Sequence, residues 1–331
     1  MRRLALLLFI ATPLVAQSVA VTKQGIVVAH DGVVDLYDAK TMKRVMQTEG
    51  VEYSGEIVAD EEDVAVLDPI HNVAQIVGGA RLRTRETPIG GVFVNHELFI
   101  LERDARTLSH RNQSIKTGAG AQFVRAAKGK IYVYSVVDGL LQEITPSPFA
   151  VTRELACAES ATDFETDGRV AYLAYPQKGE LRVIDIEKMA EVGKEQVGAV
   201  PVDLEFAANA TSLTARLIAV ADPSSKRVWT IEGEQSQLAA FGRGAIRGML
   251  GVGLFGGRNS AFPTGVDRVK GHGNDWVAYD SSTGTLYSII KKKSAVVAQG
   301  VGPHAFAVGD GVTYIWQNGT LVAQKRLSER P

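Results

Sequence analysis

Four polar residues hold the same place in four units of the chain. Glu56, Gln122, Asp163 and Asp203 each stand just before the first apolar residue of an expected inner strand. Side chains grouped that way form a partial polar ring around one opening. Hard cations such as Ca²⁺ and Mg²⁺ take oxygen ligands, so the ring could hold one. The plainer reading is a wet channel that tolerates polar side chains. Histidine supplies a second set of candidates. His304 sits just ahead of the last inner strand, and His272, in Gly271-His272-Gly273-Asn274-Asp275, is expected near it in the neighbouring unit. A histidine pair at a channel mouth could serve acid–base chemistry, whereas a lone loop histidine does none.

Other motifs carry less. Gly251-Val252-Gly253-Leu254-Phe255-Gly256 matches G-x-G-x-x-G. A dinucleotide site needs that motif between a strand and a helix, and the surroundings here are glycine-rich and strand-like. No HExxH motif and no G-x-S-x-G elbow occur. Cys157 is the only cysteine, which excludes an intrachain disulfide and any CxxC pair. The runs Asp60-Glu61-Glu62-Asp63 and Lys291-Lys292-Lys293 read as solvated turns. No cofactor is expected beyond the Ca²⁺ or Mg²⁺ that the ring could take.

The elements that must position these residues are strands. Val301–Leu327 shows the unit: strands at Ala305–Val308, Val312–Trp316 and Thr320–Ala323, separated by Asp310-Gly311 and Asn318-Gly319. Both dipeptides supply the positive φ of tight hairpin turns. The strands are apolar or small on both faces, the pattern of a sheet covered on both sides. Similar strand–turn–strand cores recur at Ile26–Tyr37, Val64–Val77, Leu98–Ser109, Lys130–Ile144, Val170–Ile184, Leu217–Ile231, Trp276–Ile289 and Val312–Ala323. That spacing fits a single all-β β-propeller of four-stranded antiparallel blades. Eight cores predict eight blades, with seven as the rival count because the end units are incomplete. Val19–Thr22 is expected to supply the last blade's outer strand and close the ring. Two aspartate signatures recur at strand ends: Asp68, Asp222 and Asp280 in one, Asp38 and Asp185 in the other. Each is expected to accept hydrogen bonds from its turn.

Ala221–Gly242 (ADPSSKRVWTIEGEQSQLAAFG) resembles an NHL repeat, and Gly302–Gly311 (GPHAFAVGDG) resembles the inner-strand opening of NHL-repeat or YVTN-repeat propellers. The resemblance extends over nearly the whole chain as a fold. It implies a secreted bacterial propeller, a class that includes binding scaffolds. It also includes lyases and lactonases with a cation at the channel mouth. Because its motifs are turn and packing motifs, two functions stay open. One is a non-catalytic binding or scaffold propeller that presents a loop face to a protein, polysaccharide or small ligand. The other is a cation-dependent lyase or lactonase-type hydrolase.

The N-terminus has the layout of a secretory signal. Arg2 and Arg3 precede an apolar run, Leu4–Ala11, and small residues follow Pro13, with cleavage expected after Ala16 or, alternatively, Ala20. The run is shorter than the ~20 residues of a spanning helix. The expected division is therefore a signal peptide at 1–16 and one propeller domain at 17–331, with a glycine-rich insertion at about 241–273. The expected location is the periplasm or outside the cell, as a monomer. Net charge is −1, so there is no overall basic field to attract nucleic acid.

Overall fold

Val64–Asp68 (VAVLD) and Val170–Tyr175 (VAYLAY) are buried at every position. A strand with no polar face must be covered on both sides, and here the cover is a neighbouring sheet on each side. The structure, a computed structural model, describes residues 17–60, 62–157, 161–206, 217–232, 258–272, 275–290, 293–309 and 311–325. It contains eight antiparallel sheets, the blades of a β-propeller. Seven blades have four strands, and the eighth has three among the described residues. No helix occurs among those residues.

Each blade runs outward from the axis in chain order. The inner strands, from blade 1 to blade 8, are Ser18–Thr22, Ile57–Ala59, Pro88–Val94, Ala121–Ala127, Asp163–Thr166, Asp203–Phe206, Arg268–His272 and Phe306–Gly309. Each packs against the inner strands on either side, and the eighth packs against the first. The apolar core is divided among the gaps between blades. One cluster joins Tyr134 of blade 4 to Phe164 and Leu173 of blade 5; another joins Val183 of blade 5 to Leu204 and Val220 of blade 6. Burying a side chain of this size contributes about 1.5–3 kcal/mol.

The ring closes differently from the sequence expectation. Ser18–Thr22 does not complete the last blade. It is the inner strand of blade 1 and pairs with Gly25–His30 through a tight turn. A partner two residues away costs far less loop-closure entropy than one at the other end of the chain. Closure rests instead on neighbouring inner strands: the Val19 amide donates to the His304 carbonyl at 2.9 Å.

The glycine-rich stretch is also partly regular. Arg258–Ala261 is the outer strand of blade 6, paired with Arg227–Glu232, and Arg268–His272 is the inner strand of blade 7. The rest of that stretch up to residue 257, the G-x-G-x-x-G motif and the expected signal peptide lie outside the described residues.

The turn aspartates behave as their positions predict. Asp68 accepts from the amides of Tyr53, Ile70 and His71 at 2.9–3.1 Å. Asp222 accepts from Ala199 and Ser225 at 2.7 and 3.1 Å, and Asp280 from Ser282 at 2.9 Å. All three are fully buried. These bonds hold each carboxyl below the usual carboxylate range despite burial. Tyr53 and Ala199 belong to the segments that enter the blade, so Asp68 and Asp222 fasten the entering chain as well as the turn.

Candidate functional site

Inner strands alternate between wall and lumen with a period of two. Three consecutive blades use that period alike. Blade 5 reads Asp163-Phe164-Glu165, blade 6 Asp203-Leu204-Glu205, and blade 7 Arg268-Val269-Lys270. Phe164, Leu204 and Val269 are buried between blades, so the flanking charged residues fall together on the channel side. Arg125 joins them from blade 4.

The wall charges are largely matched. Arg125 Nε donates to Glu165 Oε1 at 2.5 Å, and its Nη2 lies 3.6 Å from Asp163 Oδ1. Lys270 Nζ reaches Glu205 Oε2 at 3.1 Å, and Glu205 above all holds its ammonium above the ordinary lysine range. Asp163 accepts from its own neighbour's amide, Phe164, and from Leu204 of blade 6, both at 2.7 Å. Asp203 accepts from Val269 of blade 7 at 2.7 Å. Burial pushes Asp163, Asp203 and Glu165 up to about 7 against the pull of these partners, with mutual carboxylate repulsion adding to the rise.

At the end of the channel where the inner strands begin lies a cavity of about 510 Å³. Glu56, Arg103, Asp203, Arg268, Lys270 and His304 supply its polar lining. A Cβ at Gly90 of blade 3 would stand 3.3 Å from Val124 Cγ1 and 3.5 Å from Glu56 Oε2. Arg268 Nη1 donates to the Pro303 carbonyl at 3.2 Å and lies 3.4 Å from the His304 ring nitrogens. Crowding by protein around the cavity, together with the Arg268 and Lys270 charges, pushes the His304 imidazole down to about 4. It is therefore neutral at ordinary pH. Glu56 has its carboxyl raised by desolvation, partly offset by the through-space charges of Arg125 and Lys270.

The four ring residues thus divide. Asp163 and Asp203 come together on the wall, each clasping the next blade. Glu56 lines the mouth. Gln122 falls where the register slips between Ala121 and Phe123, and its side chain is exposed. His304 is at the mouth, but His272 is not beside it. His272 closes the strand that Arg268 opens, four residues on, about 13 Å along the strand. Among the described residues no group of three or more histidine, cysteine or acidic side chains has the arrangement of a metal site. Reading the ring residues alone missed Arg125, Glu165, Glu205, Arg268 and Lys270. The period-two D-x-E, D-x-E and R-x-K pattern was the signal for all of these except Arg125.

The fold and site define an eight-bladed β-propeller with a charged channel mouth. Solved structures share the fold. The chain superposes on the computationally designed Ika8 protein with a TM-score of 0.68 at 10% identity, covering 94% of this chain and 96% of that one. The dihydro-heme d1 dehydrogenase NirN, solved in complex with DHE, gives 0.67 at 14% identity, with 95% and 72% covered. BamB from Moraxella catarrhalis gives 0.60 at 10% identity, with 92% and 94% covered. No protein-family model and no curated protein matches the sequence. At these identities the likeness carries the fold, and its members have different kinds of work.

Proposed function

We propose that the protein is an exported, non-catalytic binding propeller that takes a small ligand in the mouth of its central channel. The observation that carries this reading is the 510 Å³ cavity with Glu56, Arg268 and His304 on its rim. It has the size and preformed polar groups of a small-ligand site. The wall charges beneath it are engaged in holding blades together, which makes the frame rigid. His304, neutral with a conjugate acid near 4, is a weak general base at neutral pH. Exposed large apolar residues among those described, such as Val45, Ile70 and Val137, are aliphatic. Export is supported by the Arg2-Arg3 and Leu4–Ala11 pattern. Ser18, which starts the first strand, comes two residues after the expected cleavage at Ala16.

The test is a thermal-shift screen of the chain from Gln17 against a metabolite library, with each hit recovered and analysed by mass spectrometry. The expected result is stabilisation by hits that return chemically unchanged, and no stabilisation of Arg268→Ala by the same hits. Chemical conversion of a hit would overturn the non-catalytic part.

A second reading is favoured by one observation. Asp203 lines the cavity with its carboxyl pushed up to about 7, a value suited to proton transfer near neutral pH. That is the cation-dependent lyase or lactonase reading, with Ca²⁺ or Mg²⁺ held by Glu56, Asp203 and bound water. A rise in melting temperature with either ion, reversed by EDTA and lost in Asp203→Ala, would support it. Indifference to both ions and to EDTA would remove it.

A further inference from the structure

The mouth contains charges that the rest of the channel does not match. Arg125 has Glu165, and Lys270 has Glu205. Glu56 has no cationic nitrogen within ion-pair distance among the described residues, and Arg103 and Arg268 have no carboxylate there. Among the described residues the Arg268 guanidinium is within hydrogen-bonding distance of the Pro303 carbonyl and the neutral His304 ring, with Asp203 acting on it only through space. All three face the same cavity.

A ligand of one sign fits this lining poorly. An anion drawn to Arg103 and Arg268 would meet Glu56 and Asp203. A cation drawn to those carboxylates would meet Arg103, Arg268 and Lys270. At short range either mismatch places like charges together and weakens binding. A ligand with one charge of each sign complements both halves. A guanidinium offers paired donors that match a carboxylate, and a carboxylate accepts from an ammonium.

Resting on the mouth as the ligand site, we infer that its ligand is a zwitterionic amino compound, a free amino acid or short peptide with both ends ionised. The carboxylate lies toward Arg268 and Arg103, and the ammonium toward Glu56. The neutral His304 adds a hydrogen-bonding group without adding charge.

The experiment is isothermal titration of the chain from Gln17 with alanine, dialanine and trialanine, and with the N-acetylated and C-amidated forms of each. The expected result is binding by at least one free form. Its N-acetyl and C-amide forms should each bind about tenfold more weakly or worse, the loss of one charge-assisted contact. Arg268→Ala should erase the difference between acid and amide, and Arg268→Lys should restore part of it. Glu56→Gln should erase the difference between free and acetylated forms. Unchanged melting curves for the unliganded variants show that they are folded. If the acetylated form binds as well as the free one and Arg268→Ala abolishes both, the mouth is an anion site and the zwitterion reading is overturned. If no amino compound binds but other library members do, and Arg268→Ala blocks them, the zwitterion reading again falls and the mouth remains. If nothing binds, both readings fall.

Discussion

Asp163 Oδ2 accepts a hydrogen bond from the Leu204 amide at 2.7 Å, so the first residue of one inner strand holds the second residue of the next. One blade further on, Asp203 Oδ2 does the same to Val269 at 2.7 Å. An inner strand has its ladder partner on one side only, toward its own blade. The amide facing the neighbouring blade needs an acceptor there, and the aspartate supplies it. Asp163→Ala should leave the Leu204 amide without that acceptor and destabilise the fold by about 1–3 kcal/mol. Asp163→Asn, which keeps an oxygen there, should lose less. Urea unfolding of the three proteins decides it, and equal losses for alanine and asparagine would show that charge rather than the clasp matters.

The same carboxyls set a pH dependence. Asp163, Asp203 and Glu165 have folded values near 7, above their unfolded values. Between about pH 4 and 7 the unfolded chain releases these protons first. The folded state then binds more protons, so stability falls as the pH rises through that window and stays lower above it. His304 is depressed and works in the opposite direction between about 4 and 6.5. The carboxyls outnumber it. Asp203→Asn keeps an acceptor for Val269 and cannot ionise. Relative to the natural protein it should gain of the order of 1 kcal/mol on going from pH 4 to pH 8. Melting curves at the two pH values provide the comparison, and a constant difference between the proteins would contradict the assignment.

Gly198 is fixed by a close approach. Its φ is +104°, and a Cβ there would stand 2.0 Å from Asp222 Oδ2 and 2.9 Å from Trp229 Nε1. The Asp222 carboxylate cannot move away, because it is fully buried and accepts from Ala199 and Ser225. Gly198→Ala should therefore cost more than about 2 kcal/mol, combining backbone strain with a lost clasp. Gly193→Ala is the control: nothing lies within 4 Å of its Cβ position, and its effect should be within about 0.5 kcal/mol. Similar melting temperatures for the two variants would refute the account.

Local features were the legible part of this sequence. Asn318-Gly319 forms the tight turn its composition implies, with φ of 53° and 73°. Asp68, Asp222 and Asp280 bind amides within three residues, an interaction that depends on the adjacent chain. Eight hairpin cores gave eight blades because each hairpin is local. Relations between distant segments were harder to read. Val19–Thr22 looked like the last blade's outer strand and belongs to the first blade, since a short apolar strand does not name its partner. His272 and His304 looked like neighbours because their blades adjoin. Position along the strand, which separates them, depends on where each inner strand starts. The charged wall was visible in principle, but only once D-x-E and R-x-K were compared across blades instead of single residues.

Arg125 gives the sharpest test of that wall. Its guanidinium lies between Glu165 and Asp163, and it also donates to the Val124 carbonyl at 3.0 Å. Removing one member of a buried ion pair leaves the other uncompensated, which typically costs about 3–5 kcal/mol. Arg125→Met should fall toward that range at pH 8, where the two carboxyls would have to ionise unaided. At pH 5 the loss should be smaller, because both can stay protonated. Adding Glu165→Gln removes one of the stranded charges, so the double variant should recover part of the loss at pH 8 and little at pH 5. Denaturant unfolding at both pH values measures all four quantities. Equal losses at the two pH values, with no recovery in the double variant, would mean that Arg125 acts by packing and that the channel wall is not an electrostatic unit.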